Sequence, residues 1–191
     1  EVSTPAGTTT SITLDDGTQV LLSANSRLEY SKSFSADKRE VKLVGEARFN
    51  VAKDAERPFI VHTRQLQTQV LGTVFDVKAY PQTPADVTLY EGKVEVSLNG
   101  EAPQLMQPGE PAFLDKDGKL QLTKAPEETG KWAEGEFAFD NRDLKSVMQE
   151  IGSWYNISVV FHSRPLLEER IYFRMSRKAS TNEVLAVLND M

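Results

Sequence analysis

The stretch Leu66-Gln67-Thr68-Gln69-Val70-Leu71-Gly72-Thr73-Val74-Phe75-Asp76-Val77-Lys78-Ala79 decides the fold. Leu66, Thr68 and Val70 set one face on even positions, whereas Phe75, Val77 and Ala79 set it on odd ones. A period of two is that of a β-strand with one face buried. The change of parity implies a register slip around residues 71–74, because one extra residue turns every later side chain to the opposite face. A β-bulge with glycine is the usual device, so Gly72-Thr73 is predicted to be a kinked, strained point within one buried strand.

The same period continues on both sides. Ile12 and Leu14 lead into the turn Asp15-Asp16-Gly17-Thr18, and Val20 and Leu22 follow it, which reads as a hairpin. Val41, Leu43, Ala47, Phe49 and Val51 alternate on odd positions with an interruption near Gly45, and Phe59, Val61 and Thr63 alternate after Pro58. Val87 and Leu89 turn at Glu91-Gly92 into Val94, Val96 and Leu98. Short strands at this spacing, with no helical pattern, indicate an antiparallel sandwich or barrel, and an antiparallel β-sandwich or jelly-roll-like domain is expected over residues 1–125.

Residues 126–130, with Pro126, Glu127, Glu128 and Gly130, read as a linker. From 131 the period changes and predicts a small α+β module over 131–191. Phe137 and Phe139 mark a strand, with Asn141 as a helix cap after it. Leu144, Val147, Met148, Ile151, Trp154 and Tyr155 then carry the spacing of an amphipathic helix. Strands are expected at 157–161 and 171–175, and Ser180-Thr181-Asn182-Glu183 fits a capping box opening a last helix. The order is βαβ then βα, and one further strand is expected beyond Met191. A chain that starts at Glu1 and stops within a helical pattern is expected to be part of a longer protein.

Composition removes several chemistries. There is no Cys, hence no disulfide, thiolate nucleophile or Cys-ligated metal. Two histidines, His62 and His162, cannot make a His-rich metal site, and neither has a nucleophile motif beside it. No dinucleotide or phosphate-binding glycine motif occurs, and no cofactor or metal is expected. The net charge of -6 gives no field for nucleic acid, and no apolar run approaches the roughly 20 residues of a membrane helix. Residues 131–191 hold 8 basic and 9 acidic residues, yet Arg164, Arg170, Arg174, Arg177 and Lys178 cluster there with only Glu168 and Glu169 among them. A solvated face is the plainer reading, and a docking surface for an acidic partner is the sharper one. Trp132, Trp154 and Tyr155 suggest a sugar-stacking platform, although the helical stripe favours core packing for Trp154.

Ordered motifs along the chain resemble a known family. Leu14-Asp15-Asp16-Gly17-Thr18-Gln19-Val20, Ser26-Arg27-Leu28-Glu29-Tyr30, Val44-Gly45-Glu46-Ala47-Arg48-Phe49-Asn50-Val51, Arg57-Pro58-Phe59-Ile60-Val61, Val70-Leu71-Gly72-Thr73-Val74-Phe75-Asp76-Val77 and Leu89-Tyr90-Glu91-Gly92-Lys93-Val94 are similar to the periplasmic domain of FecR-type anti-sigma regulators. The tail from Trp132 to Asn156 is similar to the C-terminal module of the Bacteroidetes branch, which resembles the short N-terminal signalling domain of secretins and TonB-dependent receptors. The resemblance implies the periplasmic part of a single-pass inner-membrane protein. A missing N-terminal helix would anchor it, and a missing cytoplasmic domain would hold an extracytoplasmic-function (ECF) sigma factor. The signalling domain of an outer-membrane TonB-dependent transporter would be its partner, and contact would control sigma-factor release. Such a protein is not a turnover enzyme. Some members cleave themselves at a Gly-Thr bond by an N-to-O acyl shift, and Gly72-Thr73 occupies the matching motif. A structural bulge is the plainer reading of the same residues. The alternative from another class is a carbohydrate- or cell-envelope-binding β-sandwich, which needs an exposed aromatic platform.

Overall fold

A computed structural model describes residues 1–81, 83–98, 100–115, 117–123 and 130–191. The chain divides into two compact units, Glu1–Ala125 and Pro126–Met191. Residues 126–129 of the expected linker lie outside the described residues.

Among the described residues the first unit is built from strands alone: β1 (Val2–Thr4), β2 (Thr10–Thr13), β3 (Gln19–Leu22), β4 (Ser26–Tyr30), β5 (Arg39–Asn50), β6 (Phe59–His62), β7 (Leu66–Val70), β8 (Val74–Ala79), β9 (Asp86–Glu91), β10 (Val94–Leu98), β11 (Gln104–Met106), β12 (Pro111–Leu114) and β13 (Leu120–Leu122). The long strand β5 explains the architecture. Its first half pairs with β4 and β6, its second half with β3 and β8. It therefore belongs to two sheets, ordered β1-β4-β5-β6-β7-β10-β11 and β2-β3-β5-β8-β9-β12-β13. Gly45 is the pivot between them. Its φ is 101°, and a Cβ there would lie 2.7 Å from Ser26 Cα. Only glycine tolerates that backbone at that approach. The alternation survives the pivot, so Val41, Leu43, Ala47 and Phe49 all face inward. Leu22, Leu28, Phe59, Phe75, Leu89, Val94 and Met106 complete one core with them, each side chain contributing about 2 kcal/mol relative to exposure.

Two expectations change. The parity switch at 71–74 is not a bulge within one strand. β7 lies in the first sheet and β8 in the second, and Leu71–Thr73 is the corner between them. Each strand points its own alternate residues into the shared core, so crossing between facing sheets resets the parity. A bulge does occur beside the corner, in β9: Val74 pairs with Glu91 and Phe75 with Leu89, leaving Tyr90 as the extra residue. Second, β5 and β6 run parallel, while every other pair among the described residues is antiparallel. The connection of residues 51–58 makes this possible by carrying the chain back beside the start of β5.

The second unit contains a 3₁₀ turn (Lys131–Glu134), β14 (Glu136–Asp143), α1 (Leu144–Tyr155), a second 3₁₀ turn (Pro165–Glu168), β15 (Arg170–Ser176) and α2 (Thr181–Asn189). Asp143, rather than Asn141, caps α1, its carboxylate accepting from Ser146 N at 2.8 Å. Asn141 instead sits with φ 52° in an irregularity of β14. The capping box at Ser180 and Glu183 is present. The expected strand at 157–161 forms no ladder, because β15 pairs directly with β14. Val160 is 72% exposed, and Val159 packs against α1 at Gly152. Phe137, Phe139, Phe173, Val147, Ile151, Trp154 and Val184 are buried and form the interior of this unit.

Candidate functional site

Two regions carry the functional expectations. The first is the corner at Gly72-Thr73. Gly72 has φ 156°, and a Cβ there would come within 2.8 Å of Lys53 Cα. The carbonyls on either side are both engaged: Asp54 N donates to Leu71 O at 2.8 Å and Val51 N to Thr73 O at 3.0 Å. Thr73 is buried, and its hydroxyl donates to the Lys93 carbonyl at 3.0 Å. Its proton is thus directed at a weakly basic amide oxygen rather than at a histidine or carboxylate. A groove of about 480 Å³ opens beside the corner, with half-exposed Leu71 and Leu105 and the lysines Lys53 and Lys93 along it.

The connection 51–58 that clamps the corner is itself held by a buried charge that the sequence reading did not single out. Arg39 is fully buried. Its Nη1 donates to Asp16 Oδ2 at 2.7 Å and to Ala52 O at 2.8 Å, and its Nε to Arg57 O at 2.9 Å. Phe59 lies 5.5 Å beneath the guanidinium. Asp16 also accepts from Thr18 N and Oγ1, while Thr18 Oγ1 accepts from Ala52 N at 3.1 Å. Burial pushes the Asp16 carboxyl upward, but the bonds from Thr18 and Arg39 outweigh it and hold its pKa below the ordinary value. On the outer face of the second sheet, Arg48 grips Asp76 through two bonds of 2.8 and 2.9 Å. Tyr90, the bulge residue, donates to Asp76 Oδ2 at 2.7 Å, and burial together with Asp76 drives its hydroxyl well above its ordinary range.

The second region is the cationic part of the second unit. Arg164, Arg170, Arg174 and Lys178 are exposed. Arg177 is not: it is 7% exposed. Its Nη2 donates to Glu150 at 2.8 Å and its Nε to Glu136 O at 3.0 Å, with the rings of Phe137 and Trp154 each 4.8 Å from the guanidinium. Arg177 therefore leaves the docking cluster and joins the interior. Arg174 and Tyr172 lie on the exposed face of β15. Arg164 and Arg170 instead line a cavity of about 680 Å³ with Asp143, Lys145, Leu167 and Glu168.

The remaining candidates separate cleanly. His62 faces outward and bonds Glu40 at 3.1 Å, and His162 is exposed. Trp132 and Trp154 are buried, and Trp154 Nε1 donates to Arg177 O at 3.1 Å. Every aromatic residue of the first unit is buried or half-buried, so none offers an open stacking platform.

Comparison with known proteins accords with these motifs. The FecR protein family matches residues 1–95, and the FecR C-terminal family matches residues 136–191. Two crystal structures of a candidate anti-sigma factor from Parabacteroides distasonis superpose on the chain at 32% identity. Their TM-scores are 0.89 and 0.88, covering 99% of this chain in each case and 90% and 89% of the other. No curated protein matches.

Proposed function

This chain belongs to the FecR family of anti-sigma factors, and from that premise we propose that it is the periplasmic signal-relay part of a single-pass inner-membrane regulator. Its second unit receives the signalling domain of an outer-membrane TonB-dependent transporter, and the relayed signal governs release of an ECF sigma factor by a cytoplasmic domain. The observation that carries the docking assignment is the exposed set Arg164, Arg170, Arg174 and Lys178, concentrated on a module otherwise rich in acidic residues. Exposed charge of one sign steers encounter with a partner of the opposite sign. The exposed strand edge of β15 offers a second mode of attachment, by strand addition.

A pull-down with the immobilised transporter signalling domain tests the reading. The 191-residue chain is retained, and a chain lacking 131–191 is not; equal retention of both would sink the proposal. Self-cleavage at Gly72-Thr73 is a separate question. It requires the Thr73 hydroxyl to leave the Lys93 carbonyl and attack the Gly72 carbonyl carbon, and the intact mass of the purified chain beside its Thr73→Ala variant answers it.

A further inference from the structure

We propose that the cavity lined by Asp143, Lys145, Arg164, Leu167, Glu168 and Arg170 seats a carboxylate side chain from an acidic segment of the partner protein. This rests on the relay reading and specifies what the second unit recognises. Its volume of about 680 Å³ admits a side chain with its flanking backbone. Among the described residues neither Lys145 nor Arg164 forms an ion pair within the chain, so both charges are available. Arg170 commits one donor to the Asn141 carbonyl at 3.0 Å and has others to offer. Asp143 accepts from Ser146 N and Oγ at 2.8 and 2.9 Å and its charge is also stabilised by Arg170, so Lys145 and Arg164 are the cations that carry the seat. Leu167 supplies an apolar wall for the methylene groups of an acidic side chain.

The charge balance selects the ligand. Three cations against two carboxylates leave the lining at one positive charge, which suits one carboxylate better than a phosphate dianion.

Titration of the 191-residue chain with a hexaglutamate peptide, followed by amide NMR, tests the assignment. Saturable shifts are expected at 143–145 and 164–170. The double variant Lys145→Gln, Arg164→Gln weakens binding at least about tenfold, while Lys42→Gln, at an exposed position of the first unit, leaves it unchanged and both keep the parent's dispersed spectrum. Three outcomes overturn the proposal: peptide shifts that survive the double variant, the same shifts produced more readily by inorganic phosphate, or the same shifts produced more readily by phosphatidylglycerol vesicles. Pull-down separates this from the relay. If the double variant retains the transporter domain as well as the parent chain does, the seat is rejected and the relay stands. If the parent chain fails to retain it, the relay falls and the hexaglutamate titration alone decides the seat.

Discussion

The Arg177 guanidinium lies against both the Phe137 and Trp154 rings and ties α1, through Glu150, to the start of β14, through the Glu136 carbonyl. Alternation along β15 sends Arg174 outward, and the chain turns inward only after the strand has ended. That turn has no period, so no pattern announces it. Arg177→Ala removes two hydrogen bonds and the aromatic contacts and takes the nearer cation from Glu150, which keeps Arg142 at 3.7 Å, and is expected to cost about 2 kcal/mol. Arg174→Ala is expected to stay within about 0.5 kcal/mol of the parent. Urea unfolding followed by Trp fluorescence reads both, since Trp154 contacts Arg177 directly. Equal effects would remove Arg177 from the interior.

At the level of elements, the β2–β3 turn, the start of β5 and the 51–58 connection meet at the Arg39–Asp16 pair. A carboxylate whose folded pKa is depressed stabilises the fold above its unfolded value of about 3.9, and that contribution disappears as pH falls through the folded value. Asp16→Asn is therefore expected to lower stability near pH 7 by about 3 kcal/mol, leaving Arg39 buried without its counter-charge. It should also flatten the loss of stability below about pH 4. Urea midpoints of parent and variant at several pH values between 3 and 7 check both; parallel curves would deny the pair its role. The hairpin around Asp15-Asp16-Gly17-Thr18 is legible because turn chemistry is local. Its clasp is not, since Asp16 and Arg39 are 23 residues apart and nothing in either neighbourhood marks the pairing. The corner at 71–74 is legible as a change of parity but not as a change of sheet, because both events leave the same trace in a period of two. The segment 157–161 carries a strand's composition without a neighbouring strand, and composition alone cannot supply a ladder.

At the scale of the whole molecule, the two units have interiors of different kinds, one closed by two sheets sharing β5 and one by two helices on a two-stranded sheet. The change of hydrophobic period after residue 130 makes this difference visible in the sequence. We propose that the units unfold as separate cooperative bodies. Surface-to-volume scaling makes the smaller one bury a lower fraction of its chain, so it is expected to be the less stable. Both tryptophans, Trp132 and Trp154, lie in the second unit and are buried there. Indole fluorescence therefore reports on that unit alone, while β-sheet circular dichroism reports mainly on the first. In a urea titration the fluorescence transition is expected at lower denaturant than the dichroism transition, with a smaller slope because less surface is exposed. Adding the transporter signalling domain should raise the fluorescence midpoint and leave the dichroism midpoint in place, since a ligand stabilises only the body that binds it. Coincident transitions in the free chain would show a single cooperative body. A dichroism midpoint that rises with the fluorescence midpoint would place the partner on both units.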